Sequence, residues 1–170
     1  MDLELAGRIA FVSGSYRGTG EGIAKVLARE GAHVLVHGFR PDEPERVVAE
    51  IRASGGQASG VSGDIASDEG AARAVEAALH ATPNVDVLVN NYGVAEGPGW
   101  LDGSTRDWLS IYEKNVLSAV RLTQAFVPGM RARGFGRVIF VGTIGASRPA
   151  ARMPHYYASK AALPNMTVSL

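Results

Sequence analysis

Its 170 residues suffice for one domain with a sizeable core, and 17 basic residues balance 17 acidic ones, so charge favours neither nucleic acid nor an anionic membrane as partner. The absence of cysteine excludes disulfides, thiolate metal sites and cysteine nucleophiles. We find no apolar run of membrane-spanning length and no basic, apolar leader, and we therefore expect a cytoplasmic protein.

The predicted elements alternate between strand and helix along the whole chain. Short apolar or β-branched runs bounded by Gly, Asn or Asp predict strands at 8–14, 33–38, 57–64, 85–91 and 137–143; the third is the weakest, because it has few bulky residues. Helical spacing of apolar residues predicts helices at 19–30, 43–54, 68–81, 105–131 and 155–170. This alternation predicts an α/β fold with a doubly wound, Rossmann-like parallel sheet, in one domain over residues 1–170.

The first predicted strand leads directly into a glycine-rich turn, "SGSYRGTG" at 13–20. Gly14, Gly18 and Gly20 permit a tight turn and a close approach of backbone N–H groups to a pyrophosphate at a helix N-terminus. Many tight turns use glycine for geometry alone. A strand before this turn and a helix after it favour the nucleotide-binding interpretation.

The last predicted helix begins "HYYASK" at 155–160. A tyrosine can protonate a carbonyl oxygen, and a nearby lysine cation favours its phenolate form. Tyr156 lies four residues before Lys160 and Tyr157 lies three before it, so both are within helical reach. Neighbouring helical residues point about 100° apart, so only one of the two can face a ligand squarely.

Four motifs in order carry a resemblance to the short-chain dehydrogenase/reductase family: "SGSYRGTG" at 13–20, "NNYG" at 90–93, Asn115 within "EKNVLS", and "YYASK" at 156–160. The resemblance implies a strand order of 3-2-1-4-5. It also implies an oxidoreductase that transfers hydride between a nicotinamide dinucleotide and a small carbonyl or secondary alcohol substrate. His33 and His37 lie on a strand without partner ligands, so we expect no metal site.

The same resemblance assigns the site residues. Tyr156 is the acid and base, Lys160 its partner, Thr143 the polarising hydroxyl with Ser147 as its rival, and Asn115 the holder of a water that leads to the lysine. For Asn115 a surface position is the alternative. The implied cofactor-binding residues are Gly14, Ser15, Arg17, Gly18, Thr19, Gly20, Arg40, Asp64, Ile65, Asn90, Tyr156 and Lys160. Asp64 would bond the adenine amine, Ile65 would pack on the ring, and Asn90 would approach the ribose.

Comparison with the family also suggests which dinucleotide binds. The position of the acidic residue that favours NAD falls on Gly38, while Arg17 and Arg40 would attract the 2′-phosphate of NADP. We therefore expect NADP rather than NAD, and we expect Asp42 and Glu43 to lie past the pocket. Tyr92 stands where the family usually has alanine; it either crowds the cofactor channel or packs over the loop.

Family members continue well beyond the length of this chain, with further strands and a mobile substrate lid. The resemblance thus implies a domain that is incomplete at its C-terminus, and two functions compete: a catalytic domain, or a non-catalytic nucleotide-binding or interaction module. The family pairs through two helices, which predicts a homo-oligomer through helices 105–131 and 155–170. We expect His155 to be a surface residue at a helix start, and Trp100, Trp108 and Tyr112 to pack loops and helices.

Overall fold

A computed structural model describes residues 3–170 of the chain. Five parallel strands form one sheet in the order β3-β2-β1-β4-β5. The strands are β1 (Ile9–Val12), β2 (His33–Gly38), β3 (Gln57–Ser62), β4 (Val87–Asn90) and β5 (Arg137–Phe140). The predicted Rossmann-like fold and strand order are confirmed, and four of the five strands end earlier than the sequence predicts.

Helices connect the strands on both faces of the sheet. They are α1 (Gly18–Arg29), α2 (Glu45–Ala53), α3 (Asp68–Ala81), α4 (Thr105–Tyr112), α5 (Ser118–Ala132) and α6 (Pro154–Ser169). The helix predicted at 105–131 is interrupted by a π-helical turn, Glu113–Leu117, between α4 and α5. Within the part of the chain that the structure describes, no helix has the length and apolar character needed to cross a membrane.

The core lies on both faces of the sheet, which explains why the strands read as nearly continuous apolar runs. On one face Phe11, Leu35 and Leu88 pack with Leu122 and Phe126 of α5 and with the alanines of α3. The other face buries alternate residues of the same strands against α1 and α2, in a cluster that includes Val12, Val34, Val36, Ala24, Val47 and Ile51. Alternation of side chains along each strand therefore serves two apolar layers at once.

The strand order places a topological switch at the middle of the sheet. β1 pairs with β2 on one side and with β4 on the other, so the chain winds outwards in opposite directions from β1. In open α/β sheets a crevice forms at such a point, beyond the carboxyl ends of the strands. The glycine-rich turn follows β1, and "NNYG" begins at the last residue of β4, so both motifs border this crevice.

Candidate functional site

One cavity at this crevice joins motifs that are far apart in the sequence. Its volume is about 390 Å³, and it is lined by the glycine-rich turn, by the segment after β4, by the end of β5 and by α6; the lining residues are Gly14, Tyr16, Arg17, Gly18, Thr19, Gly20, Phe39, Asn91, Tyr92, Gly93, Val94, Val141, Gly142, Tyr156 and Lys160. A larger groove of about 870 Å³ lies between α1 and α2, and none of the predicted site residues lines it.

The glycines of the turn are required by its backbone. Gly14 and Gly18 adopt φ angles of 62° and 63°, in the left-handed region that favours glycine. Gly20 is needed for a different reason, because a Cβ there would lie 2.5 Å from Asn91 Nδ2 and 2.6 Å from the Gly14 carbonyl oxygen. The turn is thus tight, and α1 starts directly against the segment that follows β4.

The N-terminus of α1 opens onto the cavity. Arg17 occupies the N-cap position without a side-chain capping hydrogen bond, and Gly18, Thr19 and Gly20 of the first turn line the cavity. Backbone N–H groups in a first turn have no partner within the helix, and the helix dipole favours an anion at this end. The arrangement can therefore accept a phosphate group.

Two buried polar residues, His37 and Ser15, fix the backbone of the turn through hydrogen bonds. The Gly14 N–H donates to His37 Nδ1 at 3.0 Å, and His37 Nε2 lies 2.9 Å from the Gly63 carbonyl, so the ring proton belongs on Nε2. Ser15 donates to the Val12 carbonyl at 2.7 Å and accepts the His37 N–H at 2.9 Å. Ser15 consequently faces the interior rather than the cavity. Burial lowers the pKa of His37 to about 4.

The structure separates the two tyrosines. Tyr156 lines the same cavity as Lys160, whereas the ring of Tyr157 lies against Gly145 and lines a second, apolar cavity beside Trp100. Lys160 is only 5% exposed, and its Nζ donates to the Val141 carbonyl at 3.0 Å. Burial lowers the pKa of Lys160.

Asn115 sits in the π-helical turn and is buried, so the surface alternative for this residue is wrong. Its Oδ1 accepts the Val94 N–H at 2.7 Å, and its Nδ2 donates to the Val94 carbonyl and to Ser159 Oγ, both at 3.0 Å. Ser159 in turn donates to the Tyr156 carbonyl at 2.7 Å. Asn115 thereby ties the segment after β4 to the helix that carries Tyr156 and Lys160.

Gly93 belongs to this arrangement as well, although the sequence analysis assigns it no role. A Cβ at Gly93 would lie 2.8 Å from Lys160 Nζ and 3.1 Å from Asn115 Oδ1. The lysine amine and the asparagine amide thus pack directly over the Gly93 backbone. Its place in "NNYG" is the only sequence signal that could have indicated this contact.

Thr143 follows β5 and caps a short 3-10 turn, Ile144–Ala146, through a bond from the Gly145 N–H to its Oγ1 at 3.3 Å. That bond uses the oxygen as an acceptor and leaves the hydroxyl proton available. Thr143 is not among the residues that line the cavity, though its neighbours Val141 and Gly142 are. Ser147, the rival, is exposed and donates to the Ile144 carbonyl.

The two arginines are placed differently. Arg17 lines the cavity, but Arg40 does not. The guanidinium of Arg40 pairs with Glu43 at 3.1 Å and approaches Asp42 at 3.9 Å. Asp42 points to solvent, while the carboxylate of Glu43 folds back onto the end of β2 and accepts the N–H groups of Phe39 and Arg40.

The other predicted cofactor residues lie outside the cavity lining. Asp64 accepts the Ala66 N–H at 3.1 Å, as an aspartate in a turn does, and this bond occupies one oxygen of the carboxylate that would bind adenine. Ile65 is fully buried in the core. Asn90 is buried, and its Nδ2 lies 3.3 Å from Thr123 Oγ1. Adenine or ribose contacts by these three residues stay predictions, and Ile65, which is 0% exposed, presents no surface to a ligand in this structure.

Tyr92 combines the two arrangements that the sequence leaves open. Its ring packs on Phe39, with centroids 4.8 Å apart, and also lies against Gly14 at the cavity wall. Burial raises the pKa of Tyr92 to about 12, with a contribution from the Asp64 and Glu96 charges. The phenol therefore stays neutral and narrows the cavity between the turn and the end of β2.

The expectation that His155 is a surface residue is wrong. Its side chain is 1% exposed, Nε2 lies 2.8 Å from the Glu96 carbonyl, and its ring packs against Trp108. Gly97 leaves room for the imidazole, with a φ of 112°. The residue is buried because the loop after β4 folds over the start of α6, a contact between segments far apart in the sequence.

Comparisons with known proteins show the family and the fold of the chain. A family model described as short chain dehydrogenase matches residues 8–170. The 7α-hydroxysteroid dehydrogenase of Escherichia coli strain K12 is 35% identical over 95% of this chain and 63% of its own length, and dehydrogenase/reductase SDR family member 4 of Oryctolagus cuniculus is 35% identical over 98% and 64%. The chain therefore spans less than two thirds of the curated relatives it matches.

Among solved structures, an L-sorbose reductase from Gluconobacter frateurii in complex with NADPH and L-sorbose superimposes with a TM-score of 0.91 at 34% identity, over 96% of this chain and 62% of that one. A 7α-hydroxysteroid dehydrogenase with NADH and 7-oxo glycochenodeoxycholic acid gives the same score and identity, over 97% and 64%. The family model, the relatives and the shared fold lead to one conclusion: the chain belongs to the short-chain dehydrogenase family.

Proposed function

We propose that the chain is the dinucleotide-binding and catalytic part of an NADP(H)-dependent oxidoreductase that acts on a small carbonyl or secondary alcohol substrate. The observation that carries the proposal is the shared cavity, in which the glycine-rich turn and the pair Tyr156 and Lys160 face the same space. A phosphate-binding turn alone would indicate nucleotide binding, and the tyrosine–lysine pair adds the acid–base chemistry of carbonyl reduction.

The residues present fit a nicotinamide dinucleotide. The α1 N-terminus offers its first turn to a pyrophosphate, and the cavity continues from there past Gly93 to Tyr156 and Lys160. When bound, the nicotinamide supplies or accepts the hydride. Gly14, Gly18 and Gly20 keep the wall free of side chains where the backbone must come close to the phosphates.

Tyr156 is the catalytic acid in this proposal and protonates the carbonyl oxygen from its phenol. Lys160, held by the Val141 carbonyl and nearly closed off from water, stabilises the negative charge that the phenol leaves behind. The Thr143 hydroxyl polarises the same carbonyl, and Asn115 fixes the position of α6 through Ser159. In alcohol oxidation the same groups work in reverse.

Support for NADP comes from charge. Arg17 lines the cavity, Gly38 contributes no carboxylate, and one structural neighbour was solved with NADPH. Another neighbour was solved with NADH, so the family fold itself accepts either dinucleotide. We propose a cytoplasmic protein whose single domain covers 1–170 and which forms a homo-oligomer through helices 105–131 and 155–170.

A non-catalytic nucleotide-binding or interaction module is the second candidate. The chain spans about 60% to 64% of the length of the curated relatives that it matches. In this function the cavity would bind the dinucleotide without turnover.

The two candidates differ in a direct assay. NADPH binding is measured by titration, and NADPH oxidation is then followed at 340 nm with a panel of ketones, sugars, steroids and acyl thioesters. Binding together with substrate-dependent oxidation supports the enzyme, and binding without oxidation supports the module. Tighter binding of NADH than of NADPH would contradict the proposed cofactor.

A further inference from the structure

The end of β2 holds a carboxylate that the sequence motif does not supply. Gly38 occupies the position of the acidic residue in NAD-binding relatives and has no side chain. A Cβ built at Gly38 would lie 2.7 Å from Glu43 Cβ and 3.2 Å from Glu43 Oε2. Glu43, five residues later, thus fills the space that a side chain at position 38 would occupy.

This carboxylate makes three polar contacts with two residues, Phe39 and Arg40. Oε2 accepts the Phe39 N–H at 2.6 Å and the Arg40 N–H at 3.2 Å, and Oε1 pairs with Arg40 Nη2 at 3.1 Å. The side chain of Glu43 is 13% exposed, whereas that of Arg40 is 72% exposed. Phe39, whose amide is bound by Glu43, lines the cavity itself.

The pairing of Glu43 with Arg40 reduces the positive charge available to a ligand at the end of the cavity near Phe39. Arg17 is available at the cavity wall, but Arg40 already has Glu43 as its counter-ion. A 2′-phosphate that recruits Arg40 must compete with a carboxylate placed 3.1 Å from the guanidinium. NADH, which lacks the 2′-phosphate, meets no such competition.

We infer that Glu43 is a specificity-determining residue, which limits the preference for NADP by holding Arg40 as its counter-ion. The inference rests on the proposed dinucleotide site. It assigns to Glu43 an influence on cofactor choice that acts through Arg40, although Glu43 lies beyond β2 and does not line the cavity.

The test is the ratio of NADPH to NADH affinity, measured by calorimetric titration of wild type and Glu43→Gln. Glutamine keeps an oxygen for the amides of Phe39 and Arg40 but removes the charge. We expect the ratio to shift towards NADPH by about fivefold to tenfold, with NADH affinity nearly unchanged. Asp42→Asn is the matched control, because it removes a carboxylate that is 81% exposed and lies 3.9 Å from Arg40 Nε, farther than Glu43 lies from the same guanidinium. We expect the wild-type affinity ratio from this variant.

A double-mutant cycle with Arg40→Gln shows whether the effect passes through Arg40. We expect most of the shift caused by Glu43→Gln to vanish in the Arg40→Gln background. An unchanged ratio in Glu43→Gln, an equal shift in Asp42→Asn, a uniform loss of both affinities, or a full shift without Arg40 would each overturn the inference. Failure of wild type to bind either dinucleotide would instead overturn the proposed function, and the inference with it.

Discussion

Gly93 shows how a residue without a side chain can control the site at the residue scale. Lys160 Nζ and Asn115 Oδ1 pack over its backbone, so we expect Gly93→Ala to displace the lysine amine. Displacement of a catalytic group by about 1 Å costs on the order of 100-fold in turnover, and we predict a loss of that size. NADPH affinity should fall less than turnover, because the glycine-rich turn is untouched. Steady-state kinetics and a binding titration check this, and unchanged turnover would contradict it.

His37 makes the stability of the protein depend on pH. Its folded-state pKa is lowered to about 4 by burial, from an ordinary value of 6.5. Between these values the unfolded chain binds a proton that the folded chain does not, so the free energy of unfolding falls as the pH falls. The contribution of this group is about 3 kcal/mol between pH 7 and pH 4.

The comparison variant is His37→Gln, which retains a donor and an acceptor but does not titrate. We expect urea unfolding to show a smaller loss of stability in this variant than in wild type over the same pH range. Because other groups titrate identically in both proteins, the difference isolates His37. Parallel pH dependence in the two proteins would show that the buried imidazole does not control the acid response.

At the scale of elements, the start of α1 depends on close approach to the segment after β4. A Cβ at Gly20 would meet Asn91 Nδ2 at 2.5 Å and the Gly14 carbonyl at 2.6 Å, whereas a Cβ at Gly22 in the same helix meets nothing within 4 Å. We predict that Gly20→Ala destabilises the fold by about 1–3 kcal/mol and weakens NADPH binding. Gly22→Ala should stabilise by about 0.5–1 kcal/mol. Thermal unfolding of both variants distinguishes them, and equal effects would contradict the close approach.

The sequence predicts elements well where the cause is local. Helical spacing of apolar residues places α3 at 68–81 without error, and the run 33–38 matches β2. The break in the helix at 105–131 could not be predicted from spacing, because it depends on Asn115 bonding to Val94, 21 residues away. The burial of His155 has the same origin, because its Nε2 lies 2.8 Å from the carbonyl of Glu96, 59 residues away. The fold-back of Glu43 is instead a local side-chain contact with the N–H groups of Phe39 and Arg40, which apolar spacing does not report.

At the scale of the whole molecule, the candidate site is predictable because the parallel, doubly wound sheet brings the carboxyl ends of β1, β4 and β5 to one edge, and α6 follows β5. That is why two motifs more than 130 residues apart, the glycine-rich turn and "YYASK", line one cavity. The proposed adenosine end is less predictable. Arg40 and Asp64 are surface side chains there, and local partners decide their orientation.

The proposed self-association also belongs to the scale of the whole molecule. Leu109 is 64% exposed on α4, and Ile139 is 47% exposed on β5, which pairs only with β4 among the described strands. We expect Leu109→Lys to lower the mass of the homo-oligomer, because the proposed contact uses helices 105–131 and 155–170. Ile139→Lys should leave that mass unchanged and reduce aggregation at the sheet edge. Light scattering after gel filtration measures both, and an oligomer that persists in Leu109→Lys would contradict the helical contact.

The measurement that tests the central claim most directly compares Tyr156→Phe with Tyr157→Phe in NADPH-dependent ketone reduction. Of these two tyrosines, Tyr156 shares the cavity with Lys160 and the glycine-rich turn, while Tyr157 packs against Gly145. We predict that Tyr156→Phe abolishes turnover and still binds NADPH, and that Tyr157→Phe keeps its turnover. Loss of turnover in Tyr157→Phe with full activity in Tyr156→Phe would contradict the assignment of the catalytic acid.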